Sequence, residues 1–162
     1  MPTEAEFLAT MMDSARQYTL RYFDGLKDQD LHREFTVDGR TLNTAYWLIA
    51  HLTVSENGLL LISTGGEVIK YSWAKYYTRG GQGLPAHERP PFTEVWEAFN
   101  TVHTKAIAHL QTLDEAELDR PNPTRLPVGP QVRHVVRQAI RHESYHTGQL
   151  GWLCKLYGID MG

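Results

Sequence analysis

His142 and His146 stand four residues apart in the run Arg141-His142-Glu143-Ser144-Tyr145-His146-Thr147-Gly148-Gln149-Leu150. The segment around them, 131–157, reads as one long helix, and on a helix residues i and i+4 lie one above the other on a single face. Two imidazoles so placed can reach one transition-metal ion, a partner that imidazole suits well. The run His-Glu-Ser-Tyr-His also satisfies the H-E-x-x-H pattern of zinc peptidases, in which the glutamate is the general base. That chemistry needs a third ligand further along the chain. The longer H-E-x-x-H-x-x-G-x-x-H form fails here, because the required positions hold Gln149 and Trp152. No glutamate follows Glu143, and Asp160 is the last carboxylate side chain. Glu143 itself lies about 100° around the helix from His142 and is expected to be solvated or ion-paired rather than a base.

An upstream third ligand is the alternative. His51 sits inside the apolar run 46–54, where a lone histidine needs a polar partner to offset burial. Either it turns toward the helix carrying His142 and His146, or it is a core histidine bonded to a backbone or hydroxyl group.

Four helices must position these residues. Thr3 and Glu6 make a capping box for the first, whose expected apolar face is Leu8, Met11, Met12, Ala15, Tyr18, Tyr22 and Leu26. Asp38-Gly39 marks either a small hairpin or an ordered loop. The second helix is expected from a cap at Asn43 through Ser63, ending at Gly65-Gly66. The third runs from a cap at Thr93 to about Leu113, with Val95, Trp96, Phe99, Val102, Ala106, Ile107 and Leu110 on its buried stripe. Four prolines in 121–130 make a stiff connector, and the fourth helix spans 131–157. The connection 67–90 is long and rich in aromatics, basic residues and glycine. It could form a lip over a site or simply pack on the bundle. The pattern predicts an all-α four-helix bundle with a long crossover, as one domain over residues 1–162.

At this point the chain resembles the DinB-like (YfiT-like) metalloproteins. The resemblance rests on Ala50-His51-Leu52 in the second helix, and on His142-x-x-x-His146 followed by Gly148-Gln149-Leu150 in the fourth. It implies a four-helix bundle holding a divalent ion, nickel or zinc first and manganese or iron next, on His51, His142 and His146. It further implies a small-molecule substrate, a low-molecular-weight thiol for the relatives that are S-transferases or isomerases, and a homodimer. A metal-dependent transferase or hydrolase is the leading expectation. A non-catalytic metal-binding or stress-response protein is the rival.

Gln149, three residues after His146, can reach the same face and orient a ligand. Tyr145 flanks the site or packs in the core, and His134, two turns before His142, is pocket-lining, supporting or exposed. His103 is placed at the core margin, and His32, His87 and His109 at the surface. Gly148 and Gly151 suggest close approach of another helix, and Cys154 a buried free thiol.

Bulk properties narrow the class. The 162 residues include 16 basic and 19 acidic side chains, a net charge of −3, with no basic cluster. That argues against nucleic-acid or anionic-membrane partners, which need a concentrated positive patch. One cysteine permits no internal disulfide, and no apolar run approaches the roughly 20 residues that span a bilayer. With no signal-like N-terminus, a cytoplasmic location is expected.

Overall fold

The computed structural model describes residues 1–161. Its long helices are α1 (Glu4–Leu26), α2 (Ala45–Glu56), α3 (Phe92–Leu110) and α5 (Val132–Leu156), joined by a short α4 (Glu115–Asp119). They form the expected bundle, with α1 against α5 and α2 against both α3 and α5. Strands β1 (Thr36–Val37) and β2 (Arg40–Thr41) make the small hairpin, which Asp38 and Gly39 turn with φ of 49° and 72°. Both turn residues need positive φ, which glycine and aspartate tolerate better than most.

The capping box at Thr3 and Glu6 starts α1 as expected. Two other caps differ. Thr44 rather than Asn43 caps α2, accepting from the Trp47 amide at 3.1 Å. Pro91 rather than Thr93 precedes α3, its fixed φ setting the entry without a side-chain bond. Beyond Glu56 the second helix widens into a π-helical turn, Asn57–Ile62. Asn57 Nδ2 there donates to the Ile69 carbonyl at 2.7 Å and ties the start of the long connection to the bundle.

The buried face of α1 also differs from expectation. Met11 and Tyr18 are exposed, while Arg16 and Thr19 are fully buried. The Arg16 guanidinium donates to Glu56 Oε2 at 2.5 Å, to Glu143 Oε1 at 2.8 Å and to the Phe99 carbonyl at 3.2 Å. Thr19 adds a bond to Glu143 Oε1 at 2.7 Å, and His103 contacts Glu56 Oε1 at 2.7 Å and Asp13 Oδ1 at 3.1 Å. This polar layer draws on all four long helices and divides the apolar interior in two. One cluster holds Leu8, Met12, Leu60, Val102 and Val136, and the other Phe23, Ile49, Phe99, Leu150 and Cys154. Burial of these charges is tolerable only because each meets an opposite charge or a hydrogen bond. Glu143 is therefore paired and buried, not solvated.

Cys154 is the expected buried free thiol. Gly151 lets α1 approach, since a Cβ there would lie 3.3 Å from the Tyr22 ring, whereas Gly148 faces open space. Among the described residues no helix is long and apolar enough to cross a membrane.

Candidate metal centre

His51 on α2 and His142 and His146 on α5 meet at one side of the bundle. Each offers one ring nitrogen, and the three atoms lie within 4.8 Å of one another. His142 Nε2 is 3.2 Å from His51 Nε2 and 3.2 Å from His146 Nε2. Metal–nitrogen bonds of about 2.0–2.1 Å give edges of about 2.9 Å for right-angled and 3.4 Å for tetrahedral coordination. Both 3.2 Å spacings fall between these, and with all three atoms within 4.8 Å of one another the cluster could hold one divalent ion.

Neighbouring groups fix which nitrogen of each ring faces inward. His51 Nδ1 lies 2.6 Å from the Tyr77 carbonyl, which can only accept, so Nδ1 carries the proton and Nε2 the lone pair. His146 Nδ1 donates to Gln149 Oε1 at 3.0 Å, leaving its Nε2 free in the same way. Two lone pairs thus converge on His142 Nε2, which as a neutral ring can donate to one of them at most. A cation resolves that arrangement better than any single proton does. Trp47, one turn before His51, stacks on its ring at 4.5 Å and 15°, and Ser55, one turn after, places Oγ 3.4 Å from His51 Nε2.

Burial keeps the three rings neutral. Desolvation lowers the pKa of His51 and of His146, and desolvation with the neighbouring rings lowers that of His142 from 6.5 to about 3. A neutral ring is the ligating form. The same shift has a consequence for the metal-free protein. Between about pH 6.5 and 3 the unfolded chain binds protons that the native state refuses, so stability falls as pH falls through that window. The melting temperature of metal-stripped protein should drop more steeply there than that of a His142→Gln variant. Parallel curves for the two would contradict this assignment.

Gln149 takes the orienting position expected of it. A Gln149→Leu variant loses the acceptor for His146 Nδ1 and should bind metal about 10–100-fold more weakly. Competition against a chromophoric chelator measures this, and unchanged affinity would remove Gln149 from the site.

The open side of the triad faces a cavity of about 1150 Å³. α2 and its π turn, the connection 67–80, the proline connector and α5 supply its walls. The connection packs on the bundle through Trp73 and Tyr77, which enter the core, while its Lys70, Tyr71, Lys75 and Arg79 line the cavity. Tyr145 is exposed rather than packed, and its ring meets His146 edge-on at 5.1 Å on the cavity wall.

His134 lies elsewhere. Its Nδ1 accepts from the Gln131 amide at 3.3 Å and caps α5, and it borders a separate groove with Phe7 and Met11. His109 is half-buried against Thr64 Oγ1 at 2.8 Å, not a plain surface residue. His32 is exposed, beside Arg89, and His87 pairs with Glu88.

The residues that sequence reading missed are Trp47, Ser55 and the Tyr77 carbonyl. The first two stand at i−4 and i+4 from His51, so the spacing rule that relates His142 to His146 would have found them. A backbone carbonyl leaves no such mark.

A helical bundle with three imidazoles converging beside an open cavity defines a class, the bundle proteins with a candidate metal centre between helices. The chain belongs to the DinB superfamily, whose sequence profile matches residues 11–150 and so covers all three histidines. No curated protein matches the chain.

Proposed function

We propose that this protein is a divalent-metal-dependent enzyme that joins a small-molecule thiol to an electrophilic substrate, with metal-assisted hydrolysis as the second reaction to test. The observation that carries this reading is the open side of the histidine triad facing a cavity large enough for a substrate. Structural metal sites are closed, whereas catalytic ones keep a position free. The same observation weighs against a purely storage or regulatory site.

Three neutral nitrogen donors and no carboxylate favour zinc or nickel over manganese, which prefers oxygen ligands. A divalent ion held there supplies a Lewis acid that makes a thiol or water it binds more acidic. The protein's own residues supply orientation. The Tyr77 carbonyl and Gln149 hold the ring nitrogens inward, and Trp47 covers the His51 ring from the bulk.

No carboxylate lines the cavity among the described residues, and Glu143 is held by Arg16 in the polar layer. The site therefore offers no carboxylate base, and either nucleophile would rely on the ion for its activation. A thiol, with an unperturbed pKa of about 8.5, starts closer to its ionised form than water does.

The test is consumption of a dithiol-free panel of small thiols with 1-chloro-2,4-dinitrobenzene by zinc- or nickel-loaded protein. The S–C bond forms, the C–Cl bond breaks, and chloride leaves with the thiol proton. Turnover above that of stripped protein, and lost in His51→Ala, is expected. No metal-dependent turnover with thiols or with 4-nitrophenyl acetate, and no thiol-induced change in the nickel spectrum, would favour the non-catalytic rival.

A further inference from the structure

The charged groups around the cavity are all of one sign. Lys70, Lys75 and Arg79 line it, and no aspartate or glutamate does among the described residues. All three cations are exposed, and none forms an ion pair with a carboxylate among the described residues. The nearest interaction of Lys75 is with a ring, its Nζ lying 4.9 Å from the Tyr76 centroid.

All three cations come from one element, the connection 67–80, and form one wall. The facing surfaces are apolar or neutral: Val54, Leu59 and Ile62 from the second helix and its π turn, and Leu126 and Tyr145 across from them. The connection is also held in place, with Trp73 and Tyr77 in the core and the Tyr77 carbonyl on His51. The cationic wall is therefore fixed relative to the histidine triad. Unpaired cations over a low-dielectric wall focus potential into a cleft and favour an anion there.

We propose that the cavity's ligand is an amphipathic organic anion, with an apolar body against the second helix and a carboxylate or phosphate head against Lys70, Lys75 and Arg79. This names the ligand class of the site described above, and rests on that reading only for the reacting end of the molecule.

The test is calorimetric titration of full-length protein, zinc-loaded and metal-stripped, at low ionic strength. The probes are 4-phenylbutyrate, 4-phenylbutyl phosphate, 4-phenylbutanol and 4-phenylbutylamine. At least one anion is expected to bind about tenfold more tightly than the alcohol, the scale of two or three exposed charge contacts, with the amine weakest. The better of the two anions identifies the head group. That preference should persist in stripped protein, weaken with added salt, and disappear in the triple variant Lys70→Ala/Lys75→Ala/Arg79→Ala, which should still bind zinc. Equal affinity for anions and alcohol in stripped protein, or an undiminished preference in the triple variant, would overturn the proposal. Failure to bind zinc with the anion preference intact would instead sink the metal reading and leave this one standing.

Discussion

Replacing Arg16 with leucine is expected to destabilise the protein by about 3–5 kcal/mol, the cost of leaving a buried ion pair's partner uncompensated. Glu56 and Glu143 would remain in the interior with their cation gone, at 3% and 1% exposure. A domain of this size has only about 5–15 kcal/mol to lose, so the variant should sit near the edge of folding. Urea denaturation measures the change. Glu143→Gln, which keeps the side chain's shape and one acceptor for Arg16 and Thr19, should cost less and provides a soluble comparison. A loss under about 1 kcal/mol for Arg16→Leu would mean that the polar layer is incidental to the bundle.

The second large effect concerns His51. His51→Ala removes one of three convergent nitrogens and opens the site on the α2 side, so metal affinity should fall more than about 100-fold, beyond the loss of an orienting partner alone. Protein purified without added metal should carry close to none in the variant. Glu143→Gln, by contrast, should retain its metal, because Glu143 faces the polar layer and not the triad. The two variants together separate this site from the peptidase pattern that His142-Glu143-x-x-His146 imitates. In that pattern the glutamate belongs to the chemistry; here it belongs to the fold. Metal retained by His51→Ala would reverse that conclusion.

What the sequence disclosed follows from how local each signal is. The Thr3–Glu6 capping box and the period of the fourth helix are short-range patterns, and both elements lie where those patterns put them. α4 carried a readable signal, the Asp114–Glu117 capping box, but five residues are too few to show a helical period. Arg16 and Thr19 went unrecognised as interior because their partners sit on α2 and α5, and nothing near them in the chain announces those carboxylates. Periodicity instead favoured Met11 and Tyr18, which are apolar yet exposed. The convergence of the histidines was suggested by resemblance and by the i,i+4 pair. Their tautomers depend on Tyr77 and Gln149, and the first of these acts through its backbone. The cationic wall of the cavity was visible only as composition, because folding decides which side of the connection faces inward.

His51, His142 and His146 are expected to share one metal ion with a position left open. X-ray absorption of the zinc-loaded protein reads that coordination shell. The expected spectrum shows three imidazole nitrogens at about 2.0–2.1 Å with at least one further light-atom ligand, and in His51→Ala either no bound zinc or one imidazole fewer. A wild-type shell with two imidazoles or fewer, or a spectrum unchanged by His51→Ala, would contradict it.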